Sequence, residues 1–276
     1  MRILVTGANG YLGQGIVKQL LDDGIDVVAT DFDDSYIDKR ATVKKSNLFE
    51  VSDPYTYFEQ PDVVLHLAWR DGFKHNSINH INDLPRHYDF LSTMMESGIK
   101  RMCVMGSMHE IGFFEGSIDE KTPANPESLY GISKNALRKA VELKAKETGV
   151  LFQWIRGFYI VGNSEHGCSI FSKITQAVKE GKTEFPFTMG LNQYDFLDYD
   201  EFCLQVAKVT AQQNVLGIIN CCSGRPMKLS ERVEKFIKEN GYSIQLKYGA
   251  FPDRPYDSKA IWGNDKKINK IIDKDS

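Results

Sequence analysis

No stretch of this 276-residue chain stays apolar for the ~18 residues that a bilayer-crossing helix needs, so no membrane span is expected. Basic residues are not in surplus. Lys and Arg number 34 against 37 Asp and Glu, a formal net charge of −3, so the electrostatic footprint of a nucleic-acid binder is missing. The cysteines are few and unpatterned. Cys103, Cys168, Cys203, Cys221 and Cys222 are odd in number and follow neither metal nor disulfide spacing, and they read as reduced thiols of a cytoplasmic protein. His66, His75, His80, His87 and His166 show no ligand spacing; the His75 and His80 pair reads as loop polarity, and no metal site is expected. There is no internal repeat and no low-complexity segment. The chain opens directly on a strand-like run, so no signal peptide is expected. What remains is the composition of an ordinary soluble globular protein, 42% hydrophobic and 26% charged.

The first positive signal is a glycine turn. Arg2 to Val5 is a short apolar run, followed by Thr6-Gly7-Ala8-Asn9-Gly10-Tyr11-Leu12-Gly13. Leu12, Ile16, Val17, Leu20 and Leu21 then recur at helical spacing. Glycines between a strand and a helix are the context that a dinucleotide fingerprint requires; outside it they would be a plain glycine-rich turn. Gly7 permits the tight turn, Gly10 lets the backbone approach a pyrophosphate, and Gly13 lets helix and strand pack closely. The helix N-terminus supplies free N–H groups for the phosphates. The second apolar run, Asp26 to Asp31, ends in an acid 18 residues past Gly13. A carboxylate there accepts both ribose hydroxyls of NAD and repels the 2′-phosphate of NADP, which favours NAD. Lys39 and Arg40 nearby leave NADP open.

Strand-like runs alternate with helical stretches. Thr42–Ser46 is a weak third strand, Asp62–Ala68 a strong fourth, and Arg101–Gly106 a fifth; a helix is expected over roughly 78–97 and another from Tyr130 to about Thr148, followed by a sixth strand at Val150–Arg156. Apolar runs separated by helices predict an α/β fold, a Rossmann-type doubly wound parallel sheet. After Arg156 the pattern loosens into loops rich in Gly, Asn and Pro. That predicts a smaller C-terminal substrate lobe. The expected division is a dinucleotide-binding domain at 1–157 with 193–222, and a substrate-binding lobe at 158–192 with 223–276.

Two further pieces carry chemistry. In Tyr130-Gly131-Ile132-Ser133-Lys134 the Tyr and Lys are four residues apart, which places them on one face of a helix. A lysine ammonium close to the phenol would lower its pKa from ~10 and ready it to move protons to and from a sugar or alcohol hydroxyl. Ser107 lies at the end of the fifth strand, where ligands bind in doubly wound sheets, and its hydroxyl could hold the reacting oxygen. The bland alternative is a serine capping a turn.

With these residues in view, the chain resembles the extended short-chain dehydrogenases/reductases, the nucleotide-sugar epimerase/dehydratase group, over nearly its whole length. The supports are the Gly7, Gly10, Gly13 turn, Asp31, His66-Leu67-Ala68, Ser107, Tyr130 with Lys134, Arg156, and a late Arg254-Pro255-x-Asp257. The resemblance implies that Tyr130 is the general acid/base, that Lys134 holds the nicotinamide ribose and tunes Tyr130, and that Ser107 orients the substrate. It implies cofactor-binding roles for Gly7, Asn9, Gly10, Tyr11, Leu12, Gly13, Asp31, Leu67 and Ala68 beside Tyr130 and Lys134, and a diphosphate contact for Arg254. Asn82 falls where the family has a cofactor-contacting Asn, but its flank, Asp83-Leu84-Pro85, is atypical. Dehydratases of the group carry an Asp-Glu pair after the strand-end hydroxyl. Here Met108 and His109 stand there, with Glu110 one position out of register, which argues against dehydration. His109 is a candidate second acid/base or substrate contact, or a structural histidine. Gly157-Phe158-Tyr159 and Tyr194-Asp195-Phe196 also depart from the family's Arg-x-Phe-Asn and Arg-Asp-Phe patterns, which loosens inference about the nucleotide.

The expectation is an NAD-dependent oxidoreductase of a nucleotide-activated sugar, a 4-keto-6-deoxyhexose reductase or 4-epimerase. A free-sugar or uronate dehydrogenase is the second reading, because Ser107-x-His109-x-Ile111-Gly112 is also similar to uronate dehydrogenases. A non-catalytic NAD-binding regulator is the third, and it would typically lose Tyr130 or Lys134. The family commonly forms homodimers through two long helices, here near 78–97 and from Tyr130.

Overall fold

The computed structural model describes residues 1–162, 169–252 and 258–272. In chain order the first half comprises β1 (Arg2–Thr6), α1 (Tyr11–Asp22), β2 (Asp26–Thr30), β3 (Thr42–Val43), α2 (Pro54–Tyr57), β4 (Val63–His66), α3 (Asn79–Ser97), β5 (Arg101–Ser107), β6 (Gly116–Ile118), α4 (Leu129–Thr148) and β7 (Leu151–Gly157). The second half comprises β8 (Tyr159–Val161), α5 (Ile170–Lys179), β9 (Glu184–Pro186), β10 (Gln193–Asp198), α6 (Tyr199–Ala211), β11 (Gly217–Cys221), β12 (Pro226–Lys228), α7 (Leu229–Glu239), β13 (Gln245–Lys247), β14 (Ala260–Gly263) and α8 (Lys266–Ile272).

The strands predicted to be buried on both faces are so. Along β1, Ile3 and Val5 pack on one side of the sheet and Leu4 on the other; along β5, Cys103 and Met105 oppose Met102 and Val104. The seven-stranded sheet runs β11-β7-β5-β4-β1-β2-β3, and every neighbouring pair is parallel. Ile16, Val17 and Leu20 of α1 and Phe202, Val206 and Val209 of α6 cover one face. Leu91 and Met94 of α3 and Leu137 and Val141 of α4 cover the other. This is the expected Rossmann-type doubly wound sheet. Strand order reverses between β1 and β4, so a crevice opens beyond their carboxyl ends. The third strand is shorter than predicted, two residues instead of five. Pro85 lies inside α3 without ending it, although proline removes one backbone donor there.

A second sheet runs β12-β10-β14-β6, with β8 beside β10, and β9 pairs β13 in a separate ribbon. Phe171 and Ile174 of α5 pack with Val233 and Phe236 of α7 beneath it. This corrects the expected division at two strands. Residues 193–198 and 116–118, assigned from sequence to the dinucleotide-binding domain, pair in the smaller sheet. Asp195 anchors the first of these, while 116–118 joins through its pairing with β14. Asp195 is fully buried and accepts hydrogen bonds from the backbone and hydroxyl of Ser223 and from the Gly224 and Gly263 N–H groups, which ties β10 to β14 and to the turn before β12. Among the described residues no helix is long and apolar enough to cross a membrane.

Candidate active site

The glycine turn closes the carboxyl end of β1. Gly7 has φ +71°, and a Cβ on it would lie 2.7 Å from the Ala68 nitrogen, so only glycine lets the turn sit against Leu67 and Ala68 at the exit of β4. A Cβ on Gly13 would lie 2.2 Å from the Gly7 carbonyl oxygen, so α1 packs directly on the turn. Gly10 caps α1 with no side-chain partner, and the helix presents its first N–H groups to the crevice. That open N-terminus fits a pyrophosphate. Asp31 stands at the exit of β2, where its carboxylate accepts from the Asn9 N–H at 3.0 Å and the Phe32 N–H at 2.7 Å. Asn9 in turn accepts from the Tyr36 N–H at 2.8 Å. Tyr11 is exposed, and its ring lies 4.5 Å from that of Tyr199. Tyr11 and Gln14 wall a cleft of about 490 Å³ that continues past Val161 and Gly162; Ser107, Tyr130 and Lys134 lie outside its wall.

Across the crevice, β5 ends in a capping box. Ser107 Oγ accepts from the His109 N–H at 3.3 Å, while the Ser107 N–H donates to Glu110 at 2.6 Å. Glu110 is fully buried. It also accepts from the Trp154 indole at 2.8 and 3.0 Å, and it lies 3.5 Å from Arg138 and 3.7 Å from Arg156. Glu110 is therefore a structural acid that fixes the Ser107 turn, and Arg156 is its partner. Helix α4 begins against this turn, with Ser128 capping the Gly131 N–H at 3.1 Å. A Cβ on Gly131 would lie 2.3 Å from the His109 carbonyl oxygen; glycine there allows Tyr130 to reach Ser107.

The structure brings Ser107, His109, Tyr130 and Lys134 together. Burial pushes the Tyr130 phenol up to about 12, with the Glu110 charge adding to the effect and a hydrogen bond with Ser107 opposing it. Burial brings Lys134 down to about 7, with Glu110 opposing. This corrects one expectation. The ammonium does not sit against the phenol: it donates to the Met105 carbonyl at 2.9 Å, lies 3.9 Å from the centre of the Trp69 ring and 6.0 Å from that of Tyr130. Burial, not the neighbouring charge, dominates the phenol. His109 is brought down to about 4 by burial, with the charge of His75 adding.

An aromatic wall surrounds Tyr130. His75 stacks on it at 5.4 Å and 12°, His80 lies at 5.3 Å, His109 at 6.1 Å and Trp69 edge-on at 6.3 Å. The Tyr130 N–H donates to the His75 carbonyl at 2.8 Å, so the segment from Trp69 to Ile78 is pinned to the start of α4. Reading His75 and His80 as loop polarity missed this. The one available signal was their position just past Ala68, at the carboxyl end of a central strand. Glu110 also had a signal: serine followed three residues later by glutamate is the capping-box pattern. Asn82 is exposed on α3, whose inward face carries His80, Asp83 and His87. Arg254 and His166 lie outside the described residues.

The chain matches the model of the NAD dependent epimerase/dehydratase family over residues 3–222. It is 42% identical over 271 residues, 95% of this chain and 99% of its relative, to the dTDP-6-deoxy-L-talose 4-dehydrogenase (NAD(+)) of Aggregatibacter actinomycetemcomitans. An uncharacterized UDP-glucose epimerase of Bacillus subtilis is 25% identical, over 79% of this chain and 75% of that one. Among solved structures, the UDP-N-acetylglucosamine 4-epimerase of Methanobrevibacter ruminantium superposes with a TM-score of 0.85 at 20% identity, over 98% of this chain and 91% of that one. The dTDP-glucose 4,6-dehydratase of Streptomyces venezuelae, bound to NAD, superposes with a TM-score of 0.82 at 19% identity, over 98% and 90%. With the glycine turn, the strand-end serine and the Tyr130–Lys134 helix in one crevice, the chain belongs to the NAD-dependent epimerase/dehydratase family.

Proposed function

We propose that this enzyme interconverts the C4 hydroxyl and C4 ketone of a dTDP-activated 6-deoxyhexose, with NAD as cofactor and 6-deoxy-L-talose as the sugar. The carrying observation is the 42% identity to a dTDP-6-deoxy-L-talose 4-dehydrogenase across 95% of the chain. Met108 and His109 in place of the dehydratase acid pair agree with a reaction that eliminates no water.

NAD fits the residues present: the uncapped N-terminus of α1 for its pyrophosphate, Asp31 for its adenosine ribose, and Lys134 for its nicotinamide ribose. When bound, it supplies the acceptor or donor of the C4 hydride. Ser107 holds the C4 oxygen beside the phenol with which it shares a hydrogen bond. Tyr130, held protonated by burial, donates its proton to the ketone oxygen in reduction; in oxidation the phenol first releases that proton to solvent, and the phenolate then accepts the one from the hydroxyl. His109 is neutral near pH 7 and offers the sugar a hydrogen bond. Arg254 takes the diphosphate, as the family resemblance implies. We place the enzyme in the cytoplasm, in keeping with four free, buried cysteines. We also infer a homodimer through α3 and α4, which pack side by side and leave Ile81 and Leu143 exposed.

The test is NADH formation at 340 nm from dTDP-6-deoxy-L-talose, free 6-deoxy-L-talose, galacturonate and UDP-glucose. Turnover confined to the dTDP sugar supports the reading. A comparable rate on free sugar or uronate overturns it in favour of a free-sugar dehydrogenase.

A further inference from the structure

Lys134 is a cation that this fold buries with little help. It is 2% exposed, and its one hydrogen bond among the described residues is to the Met105 carbonyl. Glu110, the carboxylate that acts on it, is committed to Arg138, Arg156, Trp154 and the Ser107 N–H. The charged and titratable groups facing Lys134 are Tyr130 on α4, Glu110 in the turn after β5, His66 on β4 and His87 on α3. Both histidines lose proton affinity to its charge, so neither stabilises it. What meets the ammonium instead is the face of Trp69, 3.9 Å from Nζ to the ring centre. An indole face attracts a cation, most strongly where water is excluded.

The indole is itself held. Its N–H donates to His80 Nδ1 at 3.0 Å, and His80 Nε2 bonds the Lys74 carbonyl at 3.0 Å. His87 stacks on it at 4.5 Å and 17°. The His80 hydrogen bond fixes the tilt of the ring, and the His87 stack fixes its depth.

We propose that Trp69 is a positioning residue that keeps Lys134 charged and aimed into the cofactor crevice, and that His80 locks the indole in the orientation this requires. The role of Lys134 toward NAD rests on the function proposed above; the contact between Trp69 and Lys134 does not. Loss of the indole face disfavours the ammonium relative to the amine, so the defect must grow with pH. Above its pKa Lys134 is mostly neutral, and each further drop in pKa removes charged population in proportion; below it the population is nearly saturated.

The experiment measures NAD+ affinity by calorimetry, without substrate, for the wild type, Trp69→Leu and Trp69→Phe at pH 6, 7 and 8. Trp69→Leu is expected to lose about tenfold at pH 8 and no more than about twofold at pH 6, with Trp69→Phe between it and the wild type. An equal loss at every pH, or none, overturns the proposal. A second readout needs no cofactor. The pH-dependent part of the tryptophan emission near neutrality should vanish in Trp69→Phe and in Lys134→Met; its persistence in either contradicts the contact. If the wild type binds no NAD+ while this emission change is present, the functional reading fails and the Trp69 assignment stands.

Discussion

At the residue scale, the site depends on groups whose burial sets their protonation. Tyr130 is pushed up by burial and Lys134 down, so under the proposed function the phenol is ready at neutral pH to donate a proton in reduction and must ionise before it can accept one in oxidation. Tyr130→Phe removes only that hydroxyl. It should lower kcat by about 10³-fold while NAD+ affinity, measured by calorimetry, stays within about twofold; loss of both together would mean that the phenol holds the cofactor and not the proton. The pieces of this site that could be read from sequence are those with short, ordered spacing: the three glycines, Asp31, Ser107, and Tyr130 with Lys134. Trp69, His75 and His80 could not be read as a group. They come from the connection after β4 and the start of α3, and only the path of residues 69–80 across the start of α4 brings them onto Tyr130. The tuning of Tyr130 by Lys134 was misjudged for a related reason. Helical spacing fixes which face a side chain leaves from, not which carbonyl or ring it then finds, and Met105 and Trp69 lie on other elements.

At the scale of elements, two packings hold the site. The first is the contact of α4 with the turn after Ser107, where Gly131 leaves no room for a side chain. Gly131→Ala should push α4 off the turn and cost about 10²-fold in kcat in a protein that still folds by circular dichroism; unchanged turnover would show that the Ser107–Tyr130 distance is not set there. The second is the buried chain joining β1, β4 and α3: Thr6 Oγ to His66 Nδ1 at 2.8 Å, and His66 Nε2 to His87 Nδ1 at 2.9 Å. Burial holds His66 near 3 in the fold and pushes His87 down as well, whereas an unfolded histidine titrates near ~6.5. Between those values the unfolded chain binds more protons, so stability is full above ~6.5 and is lost as pH falls toward 3. Urea unfolding should show this as a falling midpoint from pH 7 to pH 5, up to about 1.4 kcal/mol per pH unit for each histidine. His87→Gln should flatten the slope, and an unchanged slope would place the titrating groups elsewhere.

At the scale of the whole molecule, the parallel sheet was legible because its strands are apolar on both faces and alternate with amphipathic helices. The smaller sheet was not. Its strands are three to six residues long and are gathered from distant parts of the chain by contacts such as those of Asp195, which no local period records. The central claim is that hydride leaves C4 of a dTDP-6-deoxyhexose and departs with the cofactor. Supplying dTDP-6-deoxy-L-talose deuterated at C4, with unlabelled NAD+, tests it most directly. The account predicts one deuterium at nicotinamide C4 of released NADH and a 4-keto sugar without label. Label retained at C4 of an inverted sugar, with no NADH released, would contradict it and make the protein a 4-epimerase.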